Sequence, residues 1–134
     1  IRLTQALKGT GYHYAPDPSS QGACTIGGNV ATNSGGPHTL KYGVTVNHVL
    51  AVEAVSSEGE IFSLGGPNAD PAGLDFAGIM VGSEGTLAVV TRVWVRQTRN
   101  PESVRTMLGL FDSVDDATNA ISAQLLVRAL SLLP

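Results

Sequence analysis

A chain of 134 residues, 43% hydrophobic and 14% charged, holds enough apolar side chain for one buried core and too much for a disordered polymer. Its formal charge is −3, and its eight basic residues, scattered from Arg2 to Arg128, form no run, which excludes nucleic-acid binding through a basic patch. The lone Cys24 excludes an internal disulfide, and no apolar run reaches the roughly 18 residues of a bilayer-spanning helix. A cytoplasmic setting is expected, with organellar or peripheral membrane placement left open. The first residue is Ile1 and the last, Pro134, comes after a helical pattern, so both ends read as cut and the chain as a fragment, a processed chain or a partly ordered one.

In chain order, Arg2 to Lys8 carries Leu3 and Leu7 four apart and stops at Gly9-Thr10-Gly11, which predicts the end of a helix. Pro16-Asp17-Pro18 then fixes an extended or turn path, and Ser19 and Ser20 are placed to cap the next element. Asn29 to Asn33 has room for one or two helical turns between glycine pairs. Val49 to Val55 alternates as a strand, Ser57-Glu58-Gly59-Glu60 turns, and Ile61 to Leu64 returns as a hairpin. Gly65 to Pro71 reads as a loop, Leu74 to Met80 as a short helix and Thr86 to Thr98 as the strongest strand. Trp94 is expected to pack within that strand. Asn100-Pro101 breaks the pattern and marks a domain boundary, 1–100 against 101–134. Beyond it, Val104 to Phe111 is a strand candidate. Asp112-Ser113-Val114-Asp115-Asp116 has the capping and acidic residues of a helix start, and Ala117 to Leu130 continues as an amphipathic helix.

Chemistry concentrates in two glycine-rich stretches. Of sixteen glycines, four fall in the charge-free run Thr25 to Pro37. Each glycine removes a Cβ and admits closer approach of another molecule to the backbone. Gly27-Gly28 leading into a short helix offers backbone amides for a diphosphate, with Thr25, Thr32 and Ser34 adding hydroxyls. Gly82-Ser83-Glu84-Gly85-Thr86 repeats that chemistry before an apolar segment suited to packing on an aromatic ring system. Neither stretch is a G-x-G-x-x-G dinucleotide fingerprint or a phosphate-binding Gly-Lys-Ser/Thr loop. Two plain turns remain the alternative.

Four ordered motifs carry a resemblance: Pro16-Asp17-Pro18-Ser19-Ser20, Cys24-Thr25-Ile26-Gly27-Gly28-Asn29-Val30-Ala31-Thr32-Asn33-Ser34-Gly35-Gly36, Lys41-Tyr42-Gly43-Val44 and Gly82-Ser83-Glu84-Gly85-Thr86-Leu87. Together they resemble the FAD-linked oxidase family, the PCMH-type, vanillyl-alcohol-oxidase-like flavoproteins. Within it the chain looks most like the glycolate oxidase D-subunit and the D-lactate and D-2-hydroxyglutarate dehydrogenases. The resemblance implies an α+β fold: the second subdomain of a PCMH-type FAD-binding domain, with a mixed or antiparallel sheet and flanking helices, in 1–100. Residues 101–134 would then open the substrate or cap domain. The family's upstream glycine loop, which grips the FAD diphosphate, has no counterpart before Pro16.

By the same likeness, FAD is the cofactor. Pro16, Asp17 and Ser19 would lie beside the flavin. Gly27, Gly28, Asn29 and Thr32 would follow the flavin and ribityl-diphosphate region, with Ser34 and Gly35 continuing that wall. Gly82, Glu84, Gly85, Val89 and Val90 would line the nucleotide side. Most relatives have Gly-Ile-Val where this chain has Ala88-Val89-Val90, so Ala88 adds a Cβ there. The implied reaction is oxidation of a D-2-hydroxy acid to the 2-keto acid with hydride transfer to flavin, the partners being the small-molecule acid, an electron-acceptor protein or quinone, and an oligomer or sister subunits. The alternative is a non-catalytic fragment or degenerate subunit without FAD. The family's catalytic and metal-binding residues belong to the cap, so no catalytic residue is assigned here and no metal is expected. His13, His38 and His48 lack metal-site spacing and read as structural or surface residues. His38 and Lys41 are also placed to neutralise flavin or phosphate charge, Cys24 reads as an inert thiol, and Asp17 is either a turn former or a cofactor contact.

Overall fold

A computed structural model describes residues 2–66, 73–104, 106 and 108–130. The chain divides into two compact units, Ile1–Asn100 and Pro101–Pro134.

The first unit opens with α1 (Arg2–Ala6) and the two-residue β1 (Tyr12–His13). Next come α2 (Ile26–Thr32), α3 (Thr39–Tyr42) and a 3-10 turn, Thr45–His48. The strand β2 (Val49–Val55) and its return β3 (Ile61–Gly65) form the predicted hairpin, whose turn is permitted by Gly59 at φ 85°. After α4 (Phe76–Met80) come β4 (Val89–Val95) and β5 (Thr98–Arg99). The predicted loop at 67–71 lies outside the described residues.

The fold is α+β. Three antiparallel strands run in the order β3-β2-β4, and β1 pairs antiparallel with β5, Tyr12 opposite Arg99. The strand predicted from Thr86 to Thr98 is therefore two elements in two sheets. Its first residues form no ladder because the Thr86 amide and hydroxyl both donate to the Ser83 carbonyl and close a turn. Two irregularities break the β2–β4 register, between Val49 and Ala51 and between Glu53 and Ala54.

One face of the sheet makes the core. Val52 and Ala54 are fully buried, with Met80 of α4 and Ala88 closing over them and Phe62, Leu64, Val90 and Val93 packing around. Alternation along β2 dictates this, since every second residue shares a face. The helix α4 starts two residues later than Leu74 because the Asp75 carboxylate caps it, accepting from the Gly78 amide at 2.8 Å.

In the second unit, α5 (Val114–Leu130) has the predicted start. The Ser113 hydroxyl accepts from the Asp116 amide at 3.1 Å and donates to the Asp116 carboxylate at 2.7 Å. The strand expected from Val104 to Phe111 is absent among the described residues. A strand needs a ladder partner, and Val104, Leu108 and Leu110 stand 78–88% exposed with none.

Candidate functional site

The site begins at the start of α2. Thr25 is extended (φ −108°, ψ 158°), and its hydroxyl oxygen accepts from the Gly28 amide at 3.0 Å. Thr25, and not Ser19 or Ser20, is thus the cap, and the helix begins three residues before the predicted Asn29. This cap also corrects the amide reading: the Gly28 N–H is taken by Thr25, while among the described residues the Ile26 and Gly27 amides have no intrachain acceptor. A Cβ on Gly27 would meet only the Val90 carbonyl, at 3.7 Å, and one on Gly28 only the Thr25 hydroxyl, at 3.2 Å.

The second loop is fastened to the other end of the same helix. The Gly82 amide donates to the Val30 carbonyl at 2.8 Å and the Glu84 amide to the Ala31 carbonyl at 2.9 Å, so the loop satisfies carbonyls the helix end leaves open. This path needs Gly82 at φ 87° and Glu84 at φ 52°. The helix itself stops at Asn33, left-handed at φ 49°, whose carboxamide oxygen accepts from the Val46 amide at 3.0 Å. Replacing Asn33 with Val combines a β-branched residue in the left-handed region with a stranded amide. We expect a loss of about 2–4 kcal/mol in urea unfolding, and less for Asn33→Gly, which keeps the backbone freedom.

Between these two loops lies a groove of about 360 Å³. Gly27 and Gly28 form one wall and Glu84 and Gly85 the other, with Met80, Ala88 and Val90 beneath. A Cβ on Gly85 would meet nothing within 4 Å. Glu84 is the one charged residue lining the groove. Ala88 is 6% exposed and belongs to the core cluster, so its methyl is absorbed by Val52, Ala54 and Met80.

Of the residues read from sequence, the structure thus brings together Gly27, Gly28, Glu84, Gly85, Val89 and Val90. Thr25 and Ser83 join them as hydroxyl-bearing rim residues. Ala31, Met80 and Ala88 are not legible as site residues, because an apolar floor has the composition of a core. Asn29 is buried.

The remaining candidates lie outside this groove. Thr32 and Ser34 bond each other at 2.7 Å, and the Ser34 carbonyl accepts from both the amide and the hydroxyl of Thr45. The missing side chains of Gly35 and Gly36 are used internally: a Cβ on Gly35 would strike Thr39 and Val44, and one on Gly36 would strike the backbone and carboxylate of Asp17. Pro16 and Pro18 are buried, Asp17 is half-buried and Ser19 exposed. The Asp17 carboxylate pairs with His38 Nδ1 at 2.6 Å. His38 therefore faces a carboxylate of its own chain, and Asp17 holds the glycine loop as well as its own turn.

The other histidines separate similarly. His13 Nδ1 bonds the Asn100 carboxamide oxygen at 2.9 Å, and buried His48 donates from Nε2 to the Tyr42 carbonyl at 2.8 Å. Lys41 places its ammonium 4.5 Å from the Tyr42 ring centre. Tyr14 packs edge-on against His48, and burial pushes its hydroxyl above the ordinary tyrosine range. Between the ordinary value near 10 and that raised value, the unfolded chain ionises at this residue and the folded chain does not. Stability should fall as pH rises through this window, and Tyr14→Phe should flatten the fall in alkaline unfolding curves.

Residues 1–65 match a family model described as an FAD binding domain. The chain is 46% identical over 121 residues to the glycolate oxidase subunit GlcD of Escherichia coli (strain K12), covering 90% of this chain and 24% of that protein. Over nine-tenths of its length the chain is thus similar to FAD-linked oxidoreductases. A D-lactate dehydrogenase of Archaeoglobus fulgidus is 38% identical over 121 residues (90% of this chain, 27% of the relative). A D-2-hydroxyglutarate dehydrogenase of Xanthomonas citri pv. viticola is 36% identical over 128 residues (92% and 27%). Alkyldihydroxyacetonephosphate synthase superposes with a TM-score of 0.62 at 30% identity, over 75% of this chain and 19% of that one. The chain thus spans about a quarter of the curated relatives it matches. The fold is part of a PCMH-type FAD-binding domain, and its cofactor is FAD.

The residues fit such a group. Glycines 27 and 85 face open or merely touching space where a side chain would stand, uncommitted amides adjoin Gly27, and the floor is apolar. A groove of about 360 Å³ suits one part of a dinucleotide.

Proposed function

We propose that this chain is the FAD-holding second subdomain of an oxidoreductase that converts a D-2-hydroxy acid to the 2-keto acid. The observation that carries the reading is the pair of hydrogen bonds from Gly82 and Glu84 to Val30 and Ala31, which sets two open glycine walls across one groove. Bound FAD would supply the two-electron acceptor. This chain's own part is binding and orientation. Gly27, Gly28, Asn29 and Thr32 serve the ribityl-diphosphate stretch. Gly82, Glu84, Gly85, Val89 and Val90 serve the nucleotide, where the Glu84 carboxylate accepts from hydroxyl or amino groups and the apolar floor packs a flat ring. Pro16, Asp17, Ser19, Ser34 and Gly35 form the frame on the flavin side, with His38 fixing Asp17. Residues 101–134 open the substrate domain. The acid is glycolate, D-lactate or D-2-hydroxyglutarate, and the electron acceptor is a quinone or a sister protein, in keeping with a relative named as an oxidase subunit.

The test is reconstitution of the purified protein with FAD, FMN or riboflavin, read by quenching of flavin fluorescence. FAD should bind and FMN should bind far more weakly, since only FAD brings a nucleotide to the Glu84 wall. Anaerobic addition of the three acids should then bleach the flavin absorbance with one of them. Failure of FAD to bind the complete protein would sink the proposal and leave a structural subunit in its place.

A further inference from the structure

Glu84 stands where turn chemistry would place another residue. The Ser83 carbonyl accepts from the Thr86 amide at 2.9 Å, so Ser83-Glu84-Gly85-Thr86 is a β-turn. Both of its central residues have positive φ, Glu84 at 52° and Gly85 at 78°, as in a type I′ turn. The first central position of such a turn takes Asn, Asp or Gly. The left-handed region crowds a Cβ, which Gly lacks and which Asn and Asp offset with short side chains that hydrogen-bond locally. The rest of the chain obeys this preference. Among the described residues every other positive-φ position is glycine except Asn33, whose carboxamide binds the Val46 amide. The turn itself has no need of a carboxylate. Its hold on α2 runs through main-chain amides, from Gly82 to Val30 and from Glu84 to Ala31. Nor does Glu84 form an ion pair among the described residues.

We propose, resting on the FAD reading of the groove, that Glu84 is kept against its backbone preference because its carboxylate selects the nucleoside end of the dinucleotide. Backbone strain of this kind concentrates where a side chain serves a ligand. The groove supplies that task. Glu84 is its one charged lining residue, and no Lys or Arg joins it. A carboxylate accepts hydrogen bonds, donates none and repels a phosphate. It therefore favours neutral donors, which in FAD are the ribose hydroxyls and the adenine amino group. FMN and riboflavin carry neither, so Glu84 discriminates the whole dinucleotide from its flavin half. The turn gives up stability and the site gains selectivity.

Two variants of the complete protein separate the backbone from the carboxylate. Glu84→Asn suits the turn and removes the charge. The thermal midpoint of the flavin-free protein should rise by about 2–4 °C, and FAD affinity should fall at least about tenfold. Glu84→Gln keeps the backbone conflict and removes the charge, so the midpoint should stay and FAD affinity should fall by the same factor. Both variants should bind FMN and riboflavin as the parent does, which narrows the preference for FAD. Two flavin dinucleotides, one with 2′,3′-dideoxyribose and one with hypoxanthine replacing adenine, identify the donor. The parent should bind one of them as weakly as Glu84→Gln binds FAD, and Glu84→Gln should not tell that analogue from FAD. The proposal is overturned if both variants hold FAD as tightly as the parent, or if FMN affinity falls in step with FAD. It is overturned too if the parent tolerates both analogues, or if Glu84→Asn lowers the midpoint, which would mean that the carboxylate braces the protein's own chain. Each of these outcomes leaves FAD binding by the parent intact, whereas a parent that takes up no FAD sinks this role and the proposed function together.

Discussion

Gly36→Ala should cost about 2–3 kcal/mol of folding stability, while Gly22→Ala, just ahead of the same glycine-rich stretch, should be close to neutral. A Cβ on Gly36 would overlap the carbonyl and carboxylate of Asp17, and a Cβ on Gly22 would meet nothing within 4 Å. The clash cannot relax cheaply. Asp17 sits between buried Pro16 and Pro18, with little backbone freedom. Its carboxylate is held by His38 at 2.6 Å. From the other side, Thr39 binds Gly36 twice, its hydroxyl accepting from the Gly36 amide and donating to the Gly36 carbonyl. Any shift that makes room breaks one of these bonds. Since Asp17 belongs to the proposed flavin-side frame, FAD affinity should fall along with stability. Urea unfolding of the FAD-free protein measures the first effect and flavin titration the second. Equal stability of the two variants would show that the Asp17 turn can yield, and that the contact is not what makes Gly36 necessary.

That contrast shows what the sequence can and cannot say. The hairpin from Val49 to Leu64 is legible because alternation and a left-handed Gly59 are local signals. The helix α2 reads too short because glycines lower helix propensity, and Gly27-Gly28 looks like loop. The Thr25 cap and the loop bound to Val30 and Ala31 override that preference, and neither is a local signal. The expected strand at Val104 to Phe111 fails for the converse reason: apolar residues suggest a ladder, but pairing is not written in one segment. The site divides in the same way. Composition marks where side chains are missing, but not on which side of the backbone the vacancy opens. Gly27 and Gly85 open outward; Gly28 opens onto the Thr25 cap, and Gly35 and Gly36 onto Thr39 and Asp17. Both classes look alike in sequence, so Ser34 and Gly35 fall on the expected cofactor wall beside residues that do line the groove.

Gly27→Leu should therefore move stability and binding in opposite directions. Gly27 lies in the first turn of α2 with no left-handed φ, so a leucine fits the backbone there. Replacing glycine in a helix by a strong helix former should add about 0.5–1 kcal/mol. The nearest atom to the new Cβ is the Val90 carbonyl at 3.7 Å, an ordinary contact, so no strain offsets the gain. The rest of the side chain must then extend into the groove of about 360 Å³ that Gly27 lines, where it competes with the nucleotide for the apolar floor. FAD affinity should fall by at least roughly a hundredfold, about 3 kcal/mol of binding. Thermal unfolding without flavin and fluorescence titration with it give the two numbers on one preparation. A variant that is less stable as well as deficient in binding would point to damage at the helix start and carry no information about the groove. A variant that is more stable and still binds FAD as the parent does would show that the dinucleotide passes elsewhere, because no route between Gly27 and Gly85 remains open beside a leucine.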